Sequence, residues 1–87
     1  MTRVVVYVQP NCPACHAHLP KVRAAADKHK IQLRVVDISM LYGEREAAKH
    51  HVRATPTTDV FTSRGTLVRR VGALPDELLD RLLAAAV

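Results

Sequence analysis

The sequence contains few aromatic residues, only two cysteines and no long apolar run. Aromatic residues make up 3% of its 87 residues, and tryptophan is absent. Proteins that bind nucleic acids usually combine a basic cluster with aromatic side chains on which bases stack. Here the 13 lysines and arginines are scattered along the chain, so the formal charge of +5 indicates a solvated basic surface. We therefore expect no nucleic-acid partner.

The absence of long apolar stretches bears on membranes and export. No apolar run approaches the roughly 20 residues that a transmembrane helix needs. The N-terminal segment MTRVVVYVQP also lacks the longer apolar stretch and the small-residue cleavage site of a secretory signal. We expect a cytoplasmic monomer with no membrane partner. The length suits one domain over residues 1–87, and 48% hydrophobic residues suffice for one core without disulfide staples.

The hydrophobic pattern predicts the element order β-α-β-α-β-β-α. The first strand is apolar on both faces, which is typical of a central strand with helices above and below it. A right-handed crossover makes the first two strands parallel, and a hairpin around Gly65 adds an antiparallel part. The fold class is therefore α/β, a four-stranded mixed sheet with helices on both faces. The predicted strands are residues 3–8, 31–38, 57–62 and 66–72, and the predicted helices are 14–30, 41–52 and 75–87.

Two of the predicted helices have an apolar stripe. The first has Pro13 in its first turn, where proline is tolerated, and Pro20 in its interior, where we expect a kink. Its expected stripe consists of Cys15, Leu19, Val22 and Ala26. The expected buried face of the last helix consists of Leu78, Leu79, Leu82, Leu83 and Ala86.

Both cysteines lie where the first strand gives way to the first helix, in the segment Cys12-Pro13-Ala14-Cys15. The first backbone N–H groups of a helix lack internal partners, and the helix dipole is positive there, so a thiolate at Cys12 is stabilised. Cys15 is one turn further in and should be less exposed. This asymmetry suits thiol–disulfide exchange without a cofactor, in which Cys12 attacks a disulfide and Cys15 resolves the mixed disulfide.

The same letters allow other interpretations. Cys12, Cys15 and His16 match a haem-attachment pattern, with Met40 as a conceivable axial ligand, but that chemistry needs an export route. Two thiolates together with His16 or His18 would suit Zn²⁺ or Cu⁺, as in a small metal carrier. The two cysteines would also be compatible with a purely structural role, although the polar loop around them disfavours it.

Several motifs together resemble the thioredoxin superfamily. These are the strand followed by C-P-A-C, then Pro20, then Thr55-Pro56-Thr57, and finally VGALPDELLDRLL. The short lead before Cys12 gives the chain the size of glutaredoxins and of small glutaredoxin-like thioredoxins. The resemblance implies a thioredoxin-like fold and an oxidoreductase that acts on protein disulfides, with electrons supplied by a reductase or by glutathione.

The resemblance also implies roles for individual residues. Cys12 corresponds to the attacking cysteine and Cys15 to the resolving one. Pro56 corresponds to a cis-proline that faces the pair, and the backbone of Thr55 would then bind substrate. Gly72 corresponds to a glycine that leaves room for substrate.

The sequence departs from the family pattern at informative positions. Val6 stands where thioredoxins have a buried acid, and Asn11 stands where they usually have an aromatic residue. Ala14 and Gln9 replace an aromatic residue and a cation that glutaredoxins often have, although Asp76 is close to the position of a glutathione-contacting acid. Use of glutathione therefore stays open.

Two further residues have candidate supporting roles. Asp59 lies in the predicted strand TTDVFT, where a carboxylate is unusual. Either it has a polar partner, or it is a partly buried acid that replaces the one missing at Val6 and takes the proton of Cys15. His16 is either a solvated helix residue or a modulator whose protonated ring favours the thiolate.

Overall fold

A computed structural model describes residues 1–87 and has the predicted order of elements. None of its three helices is both long enough and apolar enough to cross a membrane. The second helix ends earlier than predicted, because His51 adopts a left-handed conformation with φ of 59°. The elements are β1 (Arg3–Val8), α1 (Pro13–Lys28), β2 (Gln32–Asp37), α2 (Leu41–Lys49), β3 (Thr57–Phe61), β4 (Leu67–Val71) and α3 (Asp76–Ala86).

The four strands form one mixed sheet in the order β2-β1-β3-β4. β1 and β2 are parallel, with Val4 paired to Leu33. β3 runs antiparallel to both β1 and β4, and Gly65 has a φ of 83° in the hairpin turn between β3 and β4. The predicted four-stranded mixed sheet is confirmed, and β1 and β3 are its two central strands.

Each face of the sheet has its own apolar cluster, because successive side chains of a strand point to opposite faces. We call the side covered by α1 and α3 the α1/α3 face. Its cluster consists of Val4, Val22, Ala26, Ile31, Val60, Leu79, Leu83 and Ala86. We call the other side the α2 face, and its cluster consists of Val5, Tyr7, Val36, Ala47 and Val52.

The helices bury slightly different residues from those predicted. In α1 the fully buried side chains are Cys15, His18, Val22 and Ala26, while Leu19 is half-buried. His18 therefore occupies the position in the apolar stripe that was predicted for Leu19. Both sets of residues recur every three or four positions, so both lie along one face of a helix. In α3, Leu79 and Leu83 are buried but Leu78 is 51% exposed, so including Leu78 in the buried face was wrong. α1 continues through Pro20 without ending.

Candidate active site

Cys12 and Cys15 form a disulfide at the N-terminus of α1. Cys12 is the N-cap residue, and its sulfur accepts a hydrogen bond of 3.1 Å from the backbone N–H of Cys15. Pro13 is in the first turn, where its missing N–H has no cost. The Cys12 sulfur thus lies among N–H groups that have no partner within the helix. This is the position at which a thiolate is stabilised.

Both cysteines are well covered in this oxidised state. The exposed fraction is 7% for Cys12 and 3% for Cys15. Cys15 is the less exposed of the two, as expected, but Cys12 is itself buried. The hydroxyl of Thr55 lies 3.7 Å from the Cys12 sulfur and contributes to its cover.

Thr55 contacts Cys12 through its side chain, whereas the resemblance implied only a backbone role for it, in binding substrate. Its Oγ1 donates to the Cys12 sulfur at 3.7 Å and accepts a bond of 2.9 Å from the Gln9 amide. Gln9, Thr55 and Cys12 therefore form a short hydrogen-bonded chain that directs one hydroxyl proton at the sulfur. The sequence did not reveal these hydrogen bonds, because Thr55 is 46 residues from Gln9 and 43 residues from Cys12.

Pro56 and Gly72 meet beside this chain. The Thr55–Pro56 peptide bond is cis, as the resemblance implied. The N–H of Gly72 donates to the carbonyl of Pro56 at 2.8 Å. Gly72 has a φ of 91°, which disfavours other residues, and a Cβ built there would meet no atom within 4 Å. The structure therefore brings Thr55, Pro56 and Gly72 together and leaves open space over the glycine.

His16 lies on the exposed side of α1. Its Nε2–H donates to the carbonyl of Pro10 at 2.7 Å. The ring therefore ties the first full turn of the helix to the loop that precedes Cys12. Its predicted influence on the thiolate stays a prediction, but this contact also gives His16 a role in holding the loop.

Asp59 does not lie where a proton acceptor for Cys15 would have to be. It pairs across the sheet with Val5 and therefore belongs to the α2 face, whereas Cys15 and the rest of α1 lie on the opposite side. Both carboxylate oxygens accept bonds from Arg69, at 2.7 and 2.8 Å. Asp59 therefore has a polar partner, as one of the two interpretations predicted. The alternative hypothesis, that Asp59 takes the proton of Cys15, is wrong.

His18 is the buried ionisable residue on the side of the sheet that carries the cysteines. It is 1% exposed, and its Nε2 lies 3.0 Å from Thr58 Oγ1 on β3. Its Nδ1 has no hydrogen-bond partner. Burial first, and the charge of Lys21 second, hold the pKa of His18 below its usual 6.5. The sequence had suggested His18 only as a metal ligand, although its spacing of three residues from Cys15 was visible.

The donor groups around the cysteines do not assemble a metal centre. No three His, Cys, Asp or Glu side chains come together in an arrangement that could hold a metal ion. His16 faces the Pro10 carbonyl, and the Nε2 of His18 faces Thr58. Neither the metal-carrier nor the haem interpretation is favoured by this arrangement.

The chain matches a family model. The thioredoxin family model covers residues 1–85. A thioredoxin from Porphyra purpurea is 29% identical over 80 residues, which span 92% of this chain and 75% of that protein.

Solved structures agree with this match. The structure of Fasciola hepatica thioredoxin matches with a TM-score of 0.83 and 28% identity. The match covers 99% of this chain and 81% of the Fasciola chain. Reduced Schistosoma mansoni thioredoxin pre-protein has the same fold, with a TM-score of 0.82 and 23% identity over 99% of this chain and 79% of its own. With the family model across nearly its whole length and the bonded cysteines at the start of α1, the chain belongs to the thioredoxin family and is a thiol–disulfide oxidoreductase.

Proposed function

We propose that Cys12 attacks protein disulfides and that Cys15 resolves the resulting mixed disulfide. The observation that supports this assignment is the set of donors around one sulfur only. The Cys15 N–H lies 3.1 Å from the Cys12 sulfur, and the Thr55 hydroxyl lies 3.7 Å from it. Hydrogen bonds to the charged form favour that form, so in the reduced protein Cys12 is the cysteine that ionises more readily.

The exchange proceeds in two displacements. The Cys12 thiolate attacks one sulfur of the substrate disulfide, forms a mixed disulfide and releases the other substrate sulfur as a thiolate. The Cys15 thiolate then attacks the Cys12 sulfur and releases the second substrate thiolate. The substrate gains two electrons, and the protein ends with the Cys12–Cys15 disulfide.

The substrate chain docks over Thr55, Pro56 and Gly72. Open space lies over Gly72, and the neighbouring Val71 is 64% exposed although it is a large apolar residue. An extended segment next to a substrate cysteine would cover Val71 and reach the backbone beside Cys12. Such a surface suits a protein substrate better than a small thiol.

The electron donor is a protein reductase rather than glutathione, and the protein works as a cytoplasmic monomer. The support for this choice of donor comes from Gln9, which replaces the cation that glutaredoxins often have and whose amide is bonded to Thr55 at 2.9 Å. The site thus has no positive charge at that position for a glutathione carboxylate. A thioredoxin reductase should sustain turnover, while glutathione at millimolar concentration should leave the protein largely oxidised. The opposite result would contradict this choice of donor.

The roles of the cysteines are tested by trapping. Cys15→Ser should leave mixed disulfides between Cys12 and insulin, visible as adducts on a non-reducing gel and removed by dithiothreitol. Cys12→Ser should neither reduce insulin nor form comparable adducts. Adducts confined to the Cys12→Ser variant would reverse the assignment, and full activity of both variants would exclude a dithiol mechanism.

A further inference from the structure

A buried base with a free nitrogen lies one helical turn from the cysteine that must lose a proton. Cys15 and His18 are both on the buried side of α1, at 3% and 1% exposure. Side chains three residues apart on a helix are neighbours, with Cβ atoms about 5–6 Å apart. The cluster on this side of the sheet is otherwise apolar, so His18 is the base buried on the same side of α1 as Cys15.

The hydrogen bonding of His18 leaves one ring nitrogen available. Thr58 Oγ1 can accept from Nε2–H at 3.0 Å, and this tautomer puts the lone pair on Nδ1. Nδ1 is buried and has no partner. An unpaired buried polar atom is costly, so its presence in a native structure calls for an explanation.

Burial first, and the charge of Lys21 on α1 second, lower the pKa of His18 and so favour the neutral ring, and no charged group bonds to Nδ1. Lys21 is itself paired with Asp76 of α3 at 3.2 Å. On β4, Arg70 pairs in register with Thr58, but its guanidinium donates to the carbonyl of Arg69. β1 contributes the apolar Val6, the register partner of Thr58, at this point of the sheet. No carboxylate is bonded to the imidazole, so no negative charge offsets the lowering of its pKa.

We propose that His18 is the proton acceptor for Cys15 in the resolving step, an inference that rests on the proposed order of the two cysteines. In the mixed disulfide, the Cys15 thiol passes its proton to Nδ1 of His18 and becomes a thiolate. That thiolate attacks the Cys12 sulfur, the Cys12–substrate bond breaks, and the substrate leaves as a thiolate. The imidazolium donates from Nε2 to Thr58, and it gives its proton back when a reductase attacks the disulfide and Cys15 leaves.

The resolving step can be observed separately from the attack. Reduced protein mixed with dithiobis-nitrobenzoate releases one coloured thiolate when Cys12 attacks and a second when Cys15 resolves. Stopped-flow absorbance therefore gives one rate for each step. Cys15→Ser should release only the first thiolate, which assigns the phases. If Cys15→Ser still releases the second thiolate, the proposed order of the cysteines fails independently of His18.

Removal of the imidazole should slow the second phase alone. An ordinary cysteine thiol, with a pKa of about 8.5, is only a few per cent ionised at pH 7, so His18→Leu and His18→Gln should slow resolution by roughly ten-fold or more. The first phase should stay within about two-fold of wild type. The rate of resolution should then increase steeply with pH in the variants and approach the wild-type rate in alkali. The wild-type rate should depend much less on pH above neutrality.

Two variants keep this test decisive. His18→Leu fills the site with an apolar residue and preserves the packing of α1, while His51→Asn replaces an exposed histidine on the other side of the sheet and should change neither phase. Equal slowing of both phases in the His18 variants would mean that the ring is structural. An unchanged second phase, or a pH profile parallel to that of wild type, would equally overturn the proposal.

Discussion

Each face of the central sheet buries an ionisable side chain, and the two side chains differ in how many of their polar atoms are hydrogen-bonded. On the α2 face, Asp59 binds Arg69 through both carboxylate oxygens, at 2.7 and 2.8 Å. On the α1/α3 face, His18 bonds Thr58 through one nitrogen, and the other nitrogen has no partner. Both residues are 1% exposed, so burial alone does not distinguish them.

The comparison shows which buried group is available for chemistry. The Asp59 carboxylate is engaged through both oxygens by one guanidinium, and its contribution is structural. The same pair lies near Tyr7, where burial first and the charge of Asp59 second hold the tyrosine pKa above its usual 10.0. A neutral imidazole with a free lone pair, buried on the same side of α1 as Cys15, can accept a proton. The reactive face is therefore the one that contains the unsatisfied group.

Breaking the satisfied pair should have the largest effect. Arg69→Ala leaves the Asp59 carboxylate buried without a partner, and loss of one member of a buried pair typically costs about 3–5 kcal/mol. Urea denaturation should show this loss in the free energy of unfolding. Arg70→Ala, at the exposed neighbouring position, is the matched control and should stay within about 0.5 kcal/mol of wild type.

Replacement of the whole pair sharpens the same point. Asp59→Val combined with Arg69→Met removes both charges and should recover most of the stability lost in Arg69→Ala, since apolar residues often replace a buried ion pair without loss. Insulin reduction per folded molecule should be unchanged. A strong loss of activity in this folded double variant would return Asp59 to the chemistry of Cys15.

The unsatisfied histidine should appear as a pH dependence of stability. Its pKa is lowered from 6.5 by burial, so the unfolded chain binds a proton at a pH where the folded protein does not. The stability due to neutral His18 is complete above pH 6.5 and is lost as the pH falls through the lowered pKa. Urea midpoints at pH 7.5 and pH 5 should therefore differ less in His18→Leu than in wild type. An identical difference in the two proteins would contradict a neutral buried His18.

The hydroxyl that points at Cys12 should have a smaller effect, and only on attack. Thr55→Val keeps the shape of the side chain and removes the donor 3.7 Å from the sulfur. Loss of one hydrogen bond of about 1 kcal/mol should slow the first thiolate release about five-fold near neutral pH and leave resolution unchanged. Serine at position 55 retains the hydroxyl and should retain the rate, so equal slowing in Thr55→Ser would exclude the hydroxyl as the cause.

His16 should matter least, because its ring is exposed to solvent and already donates to the Pro10 carbonyl. His16→Ala should shift the thiolate absorbance titration of the reduced protein slightly towards higher pH, through loss of the contact that holds the loop before Cys12. A titration that superimposes on wild type would leave His16 as a solvated residue that only ties the loop.

The features predicted correctly from the sequence depend on local pattern. The order of strands and helices follows from hydrophobic periodicity, and the position of Cys12 at a helix start follows from Pro13 and the strand before it. The cis bond at Pro56 and the grouping of Thr55 with Gly72 came from the family resemblance. Local energetics do not predict them, since few X-Pro bonds are cis.

The features that were missed depend on register and helix phase. Whether Asp59 meets Arg69 is decided by the pairing of β3 with β4, and a slip of one residue would move Asp59 to the other side of the sheet. His18 is buried in place of Leu19 because a small rotation of α1 exchanges neighbouring positions on the helix face. Both effects are tertiary, so the residues that most distinguish the two faces could not be assigned from the sequence.

The inequality of the two cysteines is tested most directly by alkylation of the fully reduced protein. A short pulse of iodoacetamide slightly below neutral pH, followed by peptide mass spectrometry, reports which thiol is ionised and accessible. The account predicts that Cys12 is labelled at least ten-fold faster than Cys15, because the Cys15 N–H and the Thr55 hydroxyl both point at the Cys12 sulfur. Equal labelling, or faster labelling of Cys15, would contradict it.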